Sequence, residues 1–168
     1  MMQFLAAIEH SGFSVWVRES NSLLAYPGVL FLHTLGMGVV AGISAVIALR
    51  ILGCARQVPL ADVLKMYPYM WAGFYLNAVT GIVLFAIDAT TKIIDPVFYI
   101  KLAFIAAAIT LMYQLNGQIF GDPLLEKRSV RMNGKILAFA SIVCWIGAIT
   151  AGRLLAYVGP GVISPSGN

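Results

Sequence analysis

The sequence predicts an all-α integral membrane protein: a four-helix up-down bundle preceded by an N-terminal interfacial amphipathic segment. Three observations lead there. The 168-residue chain is 60% hydrophobic and only 11% charged, against about a quarter charged for a soluble domain, so it has too few polar side chains to coat an apolar core. Its apolar residues gather into four runs, at about 28–49, 69–87, 96–115 and 136–158. Each run is long enough to cross about 30 Å of hydrocarbon at about 1.5 Å per helical residue. The basic residues, finally, lie mostly between the runs. Helices satisfy their own backbone hydrogen bonds in lipid, and the runs lack the strict alternation of barrel strands.

Taken in order, residues 1–25 begin MMQFLAAIEHSGFSVWVRES. There is no basic start, and Glu9 breaks the first apolar run, so the segment does not read as a signal peptide. Phe4, Leu5 and Ile8, then Phe13, Trp16 and Val17, form two short amphipathic turns broken at Gly12. They are expected to lie on the bilayer surface with Trp16 as an interfacial anchor. Tyr26-Pro27-Gly28 opens the first span, because proline is tolerated in a first helical turn, and Gly53 closes it. Tyr67, Tyr69 and Trp71 form an aromatic belt at the entry to the second span. Asp95 is placed to cap the third span at Pro96. The fourth carries Arg153, and residues 159–168, rich in Gly, Pro and Ser, are expected to be a mobile tail. The chain 1–168 reads as one domain without an internal repeat, and its short connections make consecutive spans antiparallel neighbours.

The net charge of +4 is not a nucleic-acid signal, because it is split between two loops. Arg50, Arg56 and Lys65 flank the first loop, and Lys127, Arg128, Arg131 and Lys135 occupy the third. By the positive-inside rule these loops are cytoplasmic and both termini periplasmic, as expected for a multi-pass protein of a bacterial inner membrane whose first partner is the lipid bilayer. Cys54 and Cys144 fall at different depths, so no disulfide is expected between them, and the absence of CxxCH excludes covalent c-type haem on this chain. There is no GxSxG, P-loop, GxGxxG or HExxH, and an independent catalytic activity is not expected.

In this orientation His33, Asp88, Lys101 and Arg153, one from each span, converge on the outer third of the membrane. Charges inside spans cost about 2.5–3.5 kcal/mol each at the centre and usually face a bundle interior or an aqueous cavity. Asn77, Gly81, Leu84 and Asp88 share one helical face, as do Thr150, Arg153 and Tyr157. Gly36, one turn from His33, reads as space for a bulky neighbour. A neutral imidazole here can ligate haem iron, hydrogen-bond a quinone or relay protons. The candidate site is therefore His33 as metal ligand, with Lys101 and Arg153 for haem propionates and Asp88, Asn77 and Gly36 around them. His10, on the same side, is the candidate second ligand. Against this stand plainer roles. The cations can snorkel to headgroups; Asp88 can pair with Lys101 or Arg153; Met37, Met70, Met112, Cys144 and Trp145 suit a core. Gly38 and Gly42 suit close helix packing, including a homo-oligomer.

The strings YPGVLFLHTLGMGVVAG, LRILG, TGIVLFAIDA, PVFYIKLAF and GAITAGRLLAYVG resemble those of an uncharacterised family of small four-span bacterial inner-membrane proteins. The likeness runs from Trp16 to Gly159 and brings no activity with it. The order His33, Gly42, Arg50 is distantly similar to four-helix membrane proteins of the copper-resistance CopD type and the haem-binding HemJ type. That likeness implies haem b or a related tetrapyrrole near His33; it does not imply oxidase activity. The functional expectation is thus a haem b or redox-cofactor protein engaged in electron transfer with a redox partner. The alternatives are a non-catalytic accessory subunit of a larger membrane complex and a small-solute or ion permeation protein.

Overall fold

The computed structural model describes residues 2–20, 22–54, 57–120 and 132–157. Arg56, Lys127, Arg128, Arg131 and the tail 159–168 lie outside the described residues. The helices are α1 (Met2–Glu9), α2 (Gly12–Glu19), α3 (Tyr26–Leu52), α4 (Leu60–Leu64), α5 (Tyr67–Ala86), α6 (Ala89–Lys92), α7 (Pro96–Phe120) and α8 (Met132–Tyr157), and the described residues contain no strand. Four of them, α3, α5, α7 and α8, are long and apolar enough to cross a membrane. The fold is the all-α four-helix bundle that the four apolar runs predict.

Local signals set the ends. Pro27 sits in the first turn of α3, where its missing N–H costs nothing. Gly53 stops the helix in the left-handed region, at φ 95°, returning its N–H to Leu49 and Arg50. Asp95 caps α7 through Oδ1, which accepts from the Val97 N–H at 2.8 Å. The spans extend two to five residues beyond the apolar runs at most ends, because polar residues such as Asn116 and Asn133 continue a helix that has already left the hydrocarbon.

α3 is the central helix. It packs along α5 on one side and α8 on the other, and α7 packs along α8. Its closest approach is to α5, where Gly36 faces Gly73 and Asn77. A methyl on Gly36 would lie 2.8 Å from the Asn77 backbone nitrogen and 3.0 Å from the Gly73 oxygen. A methyl on Gly73 would lie 2.7 Å from Val39 Cγ1. The space beside Gly36, read from the sequence as room for a ligand, is filled by the backbone of α5. Two glycines let two backbones touch, which is how spans associate where lipid offers no hydrophobic drive. Gly38 and Gly42 are on a different, exposed face of α3, with no atom within 4 Å of where a side chain would start.

The core runs through Val40, Ile47, Met70, Met112, Leu115 and Trp145, all essentially buried. Outward, Phe31, Tyr75, Ile82, Tyr113, Phe139 and Ile146 are exposed. In water this would be a very large apolar patch; against lipid it is the expected surface.

α5 and α7 are joined by a short link but do not pack along their length. They meet near their two ends. At one end the Tyr67 hydroxyl donates to the Met112 carbonyl at 3.3 Å. At the other, Phe85 stacks on Phe98 with centroids 5.3 Å apart. A groove remains between them.

The N-terminal segment forms two short helices as its pattern predicts, with Phe4, Phe13 and Trp16 exposed, but the break falls at His10–Ser11 and not at Gly12, because Ser11 caps α2 by accepting from the Ser14 N–H and Gly12 is already helical. It is tied to the α5–α7 link by Glu9. One carboxylate oxygen accepts from the Thr90 hydroxyl at 2.6 Å and from the Thr90 N–H at 3.1 Å. The other lies 3.8 Å from Arg18. The Thr90 hydroxyl first, then its N–H, with smaller help from His10 and Arg18, holds Glu9 below the usual carboxylate range. A group whose folded pKa is depressed stabilises the docked state above its free pKa and loses that effect as pH falls through the folded one. Acidification through the lowered range in which Glu9 takes up its proton is therefore expected to release α1 from α6. The protection of the Thr90 amide, its exchange rate relative to that of a free amide at the same pH, should fall on acidification, and Glu9→Ala should show the lower protection already at neutral pH. Unchanged protection in both cases would remove the tie.

Candidate functional site

His33 lies one turn before Gly36 on α3, so the contact that brings α3 onto α5 also presses its ring against α5. Its Nδ1 is 3.0 Å from the Asn77 carbonyl oxygen and 3.1 Å from Thr80 Oγ1. A carbonyl only accepts, and the Thr80 hydroxyl already donates to the Leu76 carbonyl at 2.7 Å. Both partners therefore require the proton on Nδ1 of the neutral imidazole. Nε2 is then a bare lone pair, and it has no hydrogen-bond partner among the described residues. Gly81 makes the ring's position possible: a methyl there would be 3.1 Å from His33 Cε1.

His33 faces two connected spaces. A polar chamber of about 300 Å³ is lined by His33, Asp88, Lys92 and Lys101, with Tyr26 and Leu155 among its walls. An apolar groove of about 390 Å³ runs between α5 and α7, lined by Asn77, Phe74, Ile82, Leu102 and Ile105 beside His33. The two share His33, Gly81, Phe85, Phe98 and Lys101, so the stacked Phe85–Phe98 pair stands where chamber and groove adjoin. Ile82 is 69% exposed and Leu102 46%; the groove opens sideways, onto the face that meets lipid.

The charges divide unevenly. Lys92 donates to the Leu84 carbonyl at 2.8 Å and lies 3.9 Å from Asp88. Burial pulls the Lys92 ammonium below the usual lysine range, and Asp88 opposes that shift. Asp88 thus pairs with Lys92, one turn along its own stretch of chain, and not with Lys101 or Arg153 as expected from depth alone. Lys101 lays its stem against Gly152, where a methyl would be 3.6 Å from its Cε. Its ammonium has neither a hydrogen bond nor an ion pair among the described residues.

Of the residues singled out in the sequence, His33, Asp88 and Lys101 share the chamber, and Asn77 lines the groove. Asn77 is 5% exposed, with an amide oxygen that has no partner among the described residues; its backbone carbonyl serves His33. Gly36 forms the helix crossing instead. Arg153 is exposed and lines neither space, and neither does Thr150, while the side chain of Tyr157 lies outside what is described. The buried face of α8 is Ala138, Ser141, Trp145, Ala148 and Ala151, and Gly152 and Leu155 bring α8 to the chamber. His10 is exposed on the turn between α1 and α2 and lines neither space, so the described residues present one imidazole, not two. They also contain no group of three or more His, Cys, Asp or Glu placed to hold a metal ion by themselves. Thr80 and Lys92 were missed. Thr80 stands opposite His33 across the helix pair and carries no charge to attract notice. Lys92 looks like an ordinary loop cation until the chain turns it back onto Leu84.

No family model matches the chain, and no curated protein and no solved structure is significantly similar to it. The site must therefore be read from its own chemistry: a fixed lone pair, an unmatched cation and an apolar groove reached from lipid.

Proposed function

We propose that this membrane protein binds a haem b-type or related redox cofactor that enters from the bilayer, with His33 as its one protein ligand, for electron transfer. The observation that supports this reading is the hydrogen bond from His33 Nδ1 to the Asn77 carbonyl. Metal-ligating histidines characteristically donate their other ring N–H to a carbonyl or carboxylate, which fixes the tautomer and raises ligand basicity. Lys101 would hold a propionate. The fit would be to a single imidazole ligand, His33, and a single propionate cation, Lys101, since His10 and Arg153 lie elsewhere. Bound haem would supply one-electron redox chemistry, tuned by its imidazole ligand and the burial of the site. The chain's own part is to aim the imidazole, supply positive charge beside it and exclude water with Phe85 and Phe98.

The test is optical. Protein purified after expression with haem supply is expected to show a Soret band, and His33→Ala to lose it. A colourless wild type, or the same spectrum in both, would sink the reading and promote the accessory-subunit one. That second reading is favoured by the open face at Gly38 and Gly42, a surface on which another helix could seat closely.

We also place the His33 end at the periplasmic face of a bacterial inner membrane, on the distribution of basic residues between loops. Cys54, exposed at the opposite end, is then expected to react with a membrane-impermeant maleimide only after the inner membrane is permeabilised. Labelling in intact cells would reverse the orientation.

A further inference from the structure

We infer that the chamber is an oxyanion seat centred on Lys101, and that the site's ligand is an amphiphile with an acidic head and an apolar body. This rests on the reading that chamber and groove hold a small molecule, but not on that molecule being haem.

The charged side chains lining the chamber are Asp88, Lys92 and Lys101, beside His33 and Tyr26. Asp88 is matched by Lys92. One cation remains, on Lys101, with its stem held against Gly152 and no partner among the described residues. Long cationic side chains near helix ends ordinarily extend to the headgroups, but this one lines both internal spaces. A half-buried ammonium without a counterion is unfavourable, and a carboxylate or phosphate oxygen in the chamber would complete it through charge-assisted hydrogen bonds.

The rest of the ligand follows from the groove. It starts at the chamber, shares Lys101 and the Phe85–Phe98 pair with it, and continues over Phe74, Ile82, Leu102 and Ile105 to the lipid-facing surface. A free inorganic anion would leave that space unused, and a neutral hydrocarbon would leave Lys101 unmatched. A molecule with an oxyanion at one end and an apolar body at the other satisfies both. The oxyanion could be the carboxylate of a fatty acid or a propionate of haem; the chemistry at Lys101 is the same.

The experiment compares acid with neutral isostere on the whole protein in neutral detergent micelles. Oleic acid and oleyl alcohol compete against a fluorescent fatty acid; haem and its dimethyl ester are titrated in parallel. Oleic acid is expected to bind at least about tenfold more tightly than the alcohol. Lys101→Gln should abolish that preference, Lys101→Arg should retain it, and Arg153→Gln should leave it unchanged. His33→Ala should keep the preference for the acid while losing any Soret band, so that the haem reading can fail without the anion seat failing. Preference in the oleyl pair alone assigns the head to a lipid; preference in the haem pair assigns it to a propionate. Equal binding of acid and neutral partner in both pairs, a comparison that needs no variant, would overturn the inference. So would a preference that survives Lys101→Gln.

Discussion

A Gly36→Val protein is expected to lose the close pairing of α3 with α5 and most of its resistance to heat in mild detergent. The new Cβ alone would stand 2.8 Å from a backbone nitrogen and 3.0 Å from a backbone oxygen of α5. Neither belongs to a flexible side chain, so relief requires moving a helix. Overpacking typically costs about 1–3 kcal/mol, occasionally more, and a collision with backbone belongs at the upper end. The nitrogen in question is that of Asn77, whose carbonyl holds His33, so the displacement should also free the imidazole. Gly38→Val is the control: nothing lies within 4 Å of that position. Thermal unfolding of the two variants beside wild type decides the matter. If Gly36→Val melts with Gly38→Val, the helices do not cross there.

Gly81→Leu should do the reverse, preserving the fold and emptying the site. Gly81 borders both the chamber and the groove, and its nearest neighbour is the His33 ring at 3.1 Å, a side chain and not backbone. A leucine there would occupy the junction that a ligand must fill to reach both Lys101 and the lipid-facing wall. The expected result is a melting temperature near that of wild type, with ligand binding weakened by about 2–3 kcal/mol, or some thirty- to 150-fold. No polar group of the site is removed, but the His33 ring must shift to admit the new side chain, so the loss would combine filled space with a displaced imidazole. Undiminished haem and fatty-acid binding in Gly81→Leu would show that the ligand lies elsewhere.

The contrast between these glycines also explains what sequence reading reached. The spans were legible because the bilayer demands some 20 apolar residues in a row, and few arrangements satisfy that demand. The depth of His33, Asp88 and Lys101 followed from counting along those spans. Angular position was harder. Arg153 shares the depth of Lys101, yet it falls off the buried face formed by Ala138, Ser141, Trp145, Ala148 and Ala151, a mostly small-residue stripe around one tryptophan, visible in the sequence, that would have placed it outward. Gly36 and Gly81 look alike in the sequence; only the facing helix tells that one admits backbone and the other an imidazole ring. The partners of Asp88 depended on a link too short and irregular for periodicity to describe.

The sideways opening of the groove changes what affinity means for this protein. A molecule that arrives through the membrane has already partitioned into a thin layer, where its local abundance depends on how much lipid is present as well as on how much was added. Two preparations with the same total ligand but different lipid would give different apparent dissociation constants when referred to the water. Expressed as mole fraction in the bilayer, the two constants should coincide. For such a site the membrane is the reservoir, and occupancy in the cell would follow the composition of the leaflet around α5 and α7 more closely than the concentration of free ligand in either aqueous compartment.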